Sequence, residues 1–405
     1  MREGWREVRL GEVATVVGGG TPRTSVSDYW GGDIVWLTPA EVVAANGKAV
    51  CHSDRQITKA GLEKSGATLL PLDTVLLTSR ATIGALAIAG CPLATNQGFQ
   101  SLVPSEAVLP RFLMYWAQAN RAEFIRRAGG STFKEISRSE VRQVPILLPP
   151  RDEQRRIVDL IAAVDEAIEA AAISDHAAQS FNQACQDSLE ERFAESVPVE
   201  LGEIAEVKGG ITKDSKRQSE PGLVRLPYLR VANVQRGFLD LTDMTELGVT
   251  PAKAQELQLQ RGDVLLNEGG DRDKLGRGWI WEGQLRTCIH QNHVFRARLR
   301  DERFDPYYVA ILTNSRAGQR WFEENGSQTT NLASINVNTI RRFPVPALKR
   351  SEQQEIVDLH MAARTLSRGA KQESGALRQL RSALLDDLLS GDHAIPASYD
   401  ELLSA

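Results

Sequence analysis

The chain carries almost no net charge: 48 Lys and Arg against 52 Asp and Glu leave −4 over 405 residues. A nucleic-acid partner would therefore have to be held by local patches, because the overall field is too weak. Cysteine is scarce, with four residues (Cys51, Cys91, Cys185 and Cys288) far apart. That scatter argues against a disulfide framework and fits a reducing compartment. Long apolar runs are missing as well. No stretch approaches the roughly 20 apolar residues of a membrane span, and Met1–Trp5 lacks the apolar segment of a signal peptide, so a cytoplasmic location is expected. What is present is ordinary: 42% hydrophobic and 25% charged residues exclude disordered, collagen-like and fibrous chains. At about 150 residues per domain the length allows two to three domains.

The chain repeats itself. Leu10-Gly-Glu-Val-Ala-Thr-Val-Val-Gly-Gly-Gly-Thr21 matches Leu201-Gly-Glu-Ile-Ala-Glu-Val-Lys-Gly-Gly-Ile-Thr212 at eight of twelve positions. Val75-Leu-Leu77 then matches Val264-Leu-Leu266, Asn96 and Phe99 match Asn292 and Phe295, and Gly130-Ser131 matches Gly326-Ser327. Glu153-Gln-Arg-Arg-Ile-Val-Asp-Leu160 matches Glu352-Gln-Gln-Glu-Ile-Val-Asp-Leu359. Order is kept while the offset drifts, as loop insertions in a duplicated chain produce.

Each half has two parts. Its first part breaks into short apolar segments separated by turn signals such as Gly18-Gly-Gly-Thr-Pro22, Trp30-Gly-Gly-Asp33 and Glu268-Gly-Gly-Asp271. This pattern predicts a strand-rich globular domain. One helix is expected inside it, started by Pro110 in the first half and by Pro306 in the second. After Pro149-Pro150 and Pro344-Val-Pro346 come about forty residues nearly free of Gly and Pro, the mark of a long helix, roughly 60 Å at 1.5 Å per residue. Ile157, Ile161, Val164, Ile168 and Ala171 step by four and three along the first, the spacing of a coiled-coil seam. Leu366, Ala370, Glu373, Leu377, Leu380 and Leu384 do so along the second, and Asp175 and Glu373 interrupt the two seams. Both helices are expected to pack on each other, since either one alone would leave its apolar stripe wet.

No catalytic or metal constellation emerges. The glycine clusters lack the Walker frame and the strand-to-helix setting of a dinucleotide fold. Cys288-Ile-His-Gln-Asn-His293 lacks the paired spacings of a four-ligand zinc site and reads as a strand. Asp305-Pro-Tyr-Tyr308 faintly resembles an amino-methyltransferase motif but lacks its second proline and any upstream methyl-donor loop, so Pro306 reads as a helix start. What remains is a duplicated set of polar and basic residues beside turn glycines. In the first half these are Thr21, Arg23, Ser79, Arg80, Asn96, Gln97, Ser131 and Lys134; in the second, Thr212, Lys213, Asn267, Gln291, Asn292, Ser327, Gln328 and Asn331. Arg and Lys neutralise phosphates or fork onto guanine, and Asn and Gln pair with adenine, so these are the candidate DNA contacts. A solvated loop side chain is the plainer explanation of any one alone.

Trp5-(x)4-Leu10-Gly-Glu-Val13, Gly19-Gly-Thr-Pro22, Trp30-Gly-Gly-Asp-Ile-Val-Trp-Leu-Thr38, Leu76-Leu-Thr-Ser-Arg80, Thr95-Asn-Gln-Gly-Phe99 and Pro149-Pro-Arg-Asp-Glu-Gln154 together resemble the specificity subunit of type I restriction-modification systems. The second half departs from that pattern: Gly209-Gly-Ile-Thr212 lacks the proline, Gln291-Asn-His-Val-Phe295 replaces Thr-Asn-Gln-Gly-Phe, and the tryptophan pair has no counterpart. The resemblance implies an α+β fold, with two strand-rich α/β target-recognition domains in pseudo-twofold tandem repeat separated by two long antiparallel coiled-coil helices. The parts would be recognition domains at 1–148 and 197–347, helical spacers at 149–196 and 348–392, and a tail at 393–405. It further implies a bipartite double-stranded DNA site, one half per domain, with the spacers setting the gap. The chain itself would be non-catalytic and bind no cofactor. Two methyltransferase subunits and the restriction (translocase) subunits would dock on it, bringing S-adenosylmethionine, ATP and Mg2+. Ile157, Leu160, Ile161, Val164, Ile356 and Leu359 are candidates for that docking, or else for the helix–helix core. At this charge the subunit alone is expected to bind DNA weakly. A fused modification enzyme, a non-catalytic coiled-coil adaptor, or a recognition module of a related DNA-modification or phage-defence system are the alternatives.

Overall fold

The computed structural model describes residues 4–400 apart from 131–133, 215–217, 219, 271–273, 329–332, 394 and 397. Two compact units emerge. The first takes Met1–Ala171 together with Gln372–Ala405, the second Ala172–Lys371. The two long helices, Arg151–Glu195 and Arg350–Ser390, therefore each contribute to both units.

In the first unit a five-stranded sheet runs in the order Ala14–Gly18, Gln100–Pro104, Val75–Leu77, Leu86–Ala89, Ala49–Val50. A smaller sheet places Trp30–Leu37 between Gln56–Ile57 and Ala94–Thr95. Val75-Leu-Leu77 is buried on both faces, as a continuous apolar run in a central strand should be. The helix Pro110–Ala119, with its proline in the first turn, packs Phe112, Leu113, Tyr115 and Trp116 into the same core as Leu10, Val13 and Leu102. The second unit repeats the plan. Its main sheet orders Ala205–Lys208, Val294–Leu299, Val264–Asn267 and Gly278–Ile280, and Val224–Leu229 lies between Thr245–Val249 and Ile289–His290. Its helix Pro306–Asn314 is capped by Asp305, whose carboxylate accepts from the Tyr307 N–H at 2.7 Å. This fixes Pro306 as a helix start.

The Glu-Gln pair at the head of each long helix has a structural role. Gln154 is fully buried; its amide donates to the Ala107 carbonyl (3.0 Å) and the Pro149 carbonyl (2.9 Å) while its oxygen accepts from the Leu109 N–H (2.8 Å). Gln353, also fully buried, donates to Arg303 (3.0 Å) and Leu348 (2.8 Å) and accepts from the Asp305 N–H at 2.8 Å. Each glutamine ties the first turn of a long helix to the approach of the internal helix, satisfying backbone groups that would otherwise be orphaned.

Within each unit the two helical stretches run antiparallel. In the first, Ile157 and Ile161 share a core with Leu385 and Leu388, and Asp165 pairs with Arg381. In the second, Asp175 accepts from the Ser367 hydroxyl at 2.6 Å and Leu189 shares a core with Val357. The seam on the first helix follows the expected spacing: Ile157, Ile161, Val164 and Ala171 are buried, and Ala178 and Leu189 extend it. The second helix departs from expectation. Leu366 is 62% and Leu380 48% exposed, and Glu373 is exposed too. Ala370, Leu377 and Leu384 do face inward, but the positions between them are filled by Ser367, Ser374 and Arg381. A row three residues before each shared position satisfies the coiled-coil repeat as well as a row four before, and hydrophobicity favours the row that the fold leaves outside.

The cysteines also depart from expectation. The strands Ala49–Val50 and Leu86–Ala89 pair in parallel, which brings the residues just beyond them together, and Cys51 and Cys91 form a disulfide with Cα atoms 5.2 Å apart. A sequence separation of 40 hides that neighbourhood in the sequence. Cys185 and Cys288 are free. No helix among the described residues is long and apolar enough to cross a membrane.

Candidate DNA-recognition site

The glycine-rich turn after the first strand of each main sheet is held by an equivalent set of bonds in both units. In the first, the Gly20 N–H donates to the Thr95 carbonyl (2.8 Å), the Asn96 N–H to Leu37 (3.0 Å), and the Trp36 indole N–H to the Gly20 carbonyl (2.9 Å). In the second, the Ile211 N–H donates to His290 (3.0 Å), the Gln291 N–H to Leu229 (2.9 Å), and the Tyr228 hydroxyl to the Ile211 carbonyl (2.9 Å). Gly19 and Gly210 explain the invariant part of this turn. A Cβ on Gly19 would run into the Asn96 carbonyl, and one on Gly210 into the His290 carbonyl.

The adjoining strand ends match too. The Ser79 N–H donates to Gly98 (2.8 Å) and the Ile136 N–H to Ser79 (3.0 Å); their counterparts are Glu268 to His293 (2.9 Å) and Ile335 to Glu268 (2.7 Å). These bonds correct the sequence register. Asn96 corresponds to Gln291 and Gln97 to Asn292, one residue away from the expected match of Asn96 to Asn292. Phe99 likewise falls opposite Val294 and not Phe295, since Thr78 bridges Phe99 as Asn267 pairs with Val294.

This scaffold brings most of the first-half candidates together. Thr21 and Gln97 are exposed and hydrogen-bonded to each other, Asn96 accepts from the Gly98 N–H at 2.8 Å, and the Arg80 backbone pairs in antiparallel fashion with that of Glu135, next to exposed Lys134. Arg23 is exposed on the same turn as Thr21. Ser79 is an exception: it is fully buried, so its hydroxyl cannot meet a ligand, and its role is the backbone clamp. Ser131 lies outside the described residues.

In the second unit Thr212 and Lys213 are exposed on the equivalent turn and Ser327 is exposed on its strand. Asn292 sits 3.2 Å from the His293 ring, which pairs with Glu268, and the Gln291 side-chain oxygen accepts from the Val231 N–H at 3.4 Å. Asn267 is a second exception. It is fully buried, donating to the Val231 (3.2 Å) and Val234 (2.8 Å) carbonyls, and so braces the domain from within. Gln328 lies on the strand Ser327–Gln328, and Asn331 lies outside the described residues.

His290 is fully buried, hydrogen-bonded through Nδ1 to the Val294 carbonyl at 2.6 Å, and burial depresses its pKa to about 4. His293 is exposed, so the two imidazoles do not converge as ligands. Among the described residues no group of three His, Cys, Asp or Glu could hold a metal ion.

The docking candidates divide. Ile157, Ile161 and Val164 are 1%, 0% and 8% exposed, enclosed by the first unit's own core, which rules them out as a free docking face. Leu160 and Ile356 are half-buried against the cores, and Leu359 is 40% exposed.

Sequence reasoning missed Arg55. Its guanidinium carbon lies 3.7 Å from the centre of the Trp30 ring and 5.5 Å from that of Trp36. The tryptophan pair was the available signal, but nothing in the spacing links Arg55 to it.

Residues 2–176 match the family model described as Type I restriction modification DNA specificity domain. The chain is 36% identical over 167 residues to the type I restriction enzyme MjaIX specificity subunit of Methanocaldococcus jannaschii, covering 41% of this chain and 39% of that one. It is 19% identical over 152 residues to the HindI specificity subunit of Haemophilus influenzae, 37% of this chain and 33% of that one. These alignments thus span less than half the length of the curated relatives. In structure, the S subunit of a type I restriction-modification system from M. genitalium superposes with a TM-score of 0.58 at 14% identity, over 95% of this chain and 96% of that one. A chain from a structural study of type I complex assembly gives 0.56 at 19%, over 97% and 99%. The class is a two-unit α+β protein with the type I specificity-subunit fold. Residues 2–176 are thus similar in sequence to the type I DNA specificity domain, and the chain as a whole shares its fold with type I specificity subunits.

Proposed function

We propose that this chain is the DNA-recognition subunit of a type I restriction-modification complex, reading a split, asymmetric double-stranded site with one unit per half. One observation carries the asymmetry: the same hydrogen-bonded scaffold occurs twice with different side chains on it. Asn96-Gln97 stands opposite Gln291-Asn292, Trp36 opposite Tyr228, and Arg80, whose backbone pairs with that of Glu135, opposite Gly269, which pairs with Ser334. A fixed frame with changed base-edge readers is what two different half-sites require.

In this reading the chain performs no chemistry. Two methyltransferase subunits supply S-adenosylmethionine and adenine-N6 methylation, restriction subunits supply ATP- and Mg2+-dependent translocation and cleavage, and all act on DNA in the cytoplasm. The exposed apolar side chains of the long helices, Leu359 among them, are the docking candidates that remain once Ile157, Ile161 and Val164 are assigned to the core.

The test is to co-express the chain with its methyltransferase partner and map methylated adenines across the host genome. A single motif of two defined halves around a fixed gap supports the proposal. A continuous motif, or a stable complex that methylates nothing, favours a non-catalytic adaptor.

A further inference from the structure

In the second unit Arg230, at the end of the strand equivalent to Trp30–Leu37, donates to the Asp243 carboxylate at 2.8 Å, and Arg298 to Asp263 at 2.7 Å. In the first unit Arg23, Arg80 and Arg55 form no ion pair among the described residues, and Arg55 differs from the other two in being laid on an aromatic ring. It is exposed and lies against Trp30 at 3.7 Å from the ring centre, with Trp36 edge-on to Trp30 at 5.1 Å and 89°.

Its position is fixed at both ends. The Arg55 carbonyl accepts from the Trp36 N–H (3.3 Å) and the Ser53 hydroxyl (2.6 Å), while cation–π attraction holds the guanidinium. The same two indoles reach the recognition turn: Trp36 donates to the Gly20 carbonyl at 2.9 Å and Trp30 to the Arg23 carbonyl at 3.3 Å. Arg55 is thus tied through a tryptophan platform to the turn that carries Thr21 and Arg23.

We propose that Arg55 is a specificity-determining residue of the first unit and that it reads a guanine edge in the major groove. This rests on the DNA-recognition function proposed above. A phosphate needs only a nearby positive charge, which exposed Arg23 already offers. Fixing the guanidinium on an aromatic ring settles where its donors sit before DNA arrives, and that matters for the two-point contact to guanine O6 and N7. Among the described residues the second unit has no arginine stacked on a tryptophan at the equivalent position, so on this proposal the two half-sites are read by different means.

The experiment compares methylation motifs written by the complex containing the wild-type full chain, Arg55→Lys, Arg55→Gln, Trp30→Leu or Trp30→Phe. Arg55→Lys keeps the charge and loses the fork. It should lower the preference for guanine at one position of one half-site on the order of 10- to 100-fold, leaving the other half-site unchanged. Trp30→Leu should relax the same position, and Trp30→Phe should restore it in part. The proposal is overturned if Arg55→Lys writes the wild-type motif while Arg55→Gln weakens methylation at all sequences alike, the behaviour of a phosphate contact. It is equally overturned if the affected half-site contains no guanine. Failure of the underlying function looks different, because the wild-type complex would then write no split motif at all.

Discussion

Replacing Gln154 with leucine should unfasten the first long helix from its domain. The side chain is fully buried and makes three hydrogen bonds, to the Leu109 N–H and to the Ala107 and Pro149 carbonyls. At about 1 kcal/mol net for each bond the loss is about 3 kcal/mol, and the Leu109 N–H, deprived of its acceptor, adds a desolvation penalty toward the upper end of that scale. Leucine nearly conserves the volume, so little of the cost is a cavity. The effect should be local. Amide hydrogen exchange should accelerate at Leu109 and over the first turns of the helices Pro110–Ala119 and Arg151–Glu195, by roughly 100-fold for 3 kcal/mol. Gln353 offers an internal replicate in the second unit, whose peptides should stay protected when only Gln154 is changed. Arg155→Ala, which removes only a surface ion pair to Asp400 at 3.6 Å, is the control. Exchange unchanged in Gln154→Leu, or altered equally across both units, would refute the assignment of Gln154 as a local fastener.

Thiol titration in denaturant should find two reactive groups without reductant and four after it, since Cys51 and Cys91 are paired; in the folded protein Cys288 should react slowest, its pKa raised to about 12 by burial. Acid should weaken the second unit. His290 has a folded pKa of about 4, below the unfolded value near 6.5, so its contribution is fully present above pH 6.5 and is lost as pH falls toward 4, by about 3 kcal/mol. Unfolding of wild type and His290→Gln across that interval checks it: the variant should show a flatter pH dependence. Asn267→Leu should lower stability by about 2 kcal/mol, because it removes two buried hydrogen bonds, to the Val231 and Val234 carbonyls, without changing which bases the complex methylates. Arg381→Met should cost about 1 kcal/mol, measured by chemical denaturation, since it leaves the partly exposed Asp165 facing only the Tyr115 hydroxyl at 3.0 Å.

Much of the fold was legible in the sequence because it rests on local rules. Pro110 and Pro306 mark helix starts, the Gly- and Pro-poor stretches are helices, and each duplicated Leu-Gly-Glu segment forms a helical turn (Leu10–Val13 and Leu201–Ile204) that leads into the edge strand of its main sheet. What escaped depends on neighbours far along the chain. The choice between Leu366 and Ser367 for the seam is settled by what faces the helix, and hydrophobicity pointed the wrong way. Asn96 was matched to Asn292 by residue identity, whereas the hydrogen bonds match it to Gln291. Among the site residues, exposure sorted the candidates: Thr21 and Gln97 came together at the surface, while Ser79 and Asn267 proved to be interior braces. Arg55 has no motif at all; only the fold lays it on Trp30.

The division of the long helices between units carries a consequence for how the protein is made. The first unit's core includes Leu385, Leu388 and Ile395, packed with Trp5, Ile157 and Ile161. Residues 172–371, the whole of the second unit, are translated between the two parts of the first. At a ribosomal pace of roughly 5–20 residues per second the early part waits for roughly 10–40 seconds with an apolar flank open. The second unit, contiguous in the chain, can close while it waits. A stop codon near residue 372 should therefore damage the domain encoded first and spare the one encoded last.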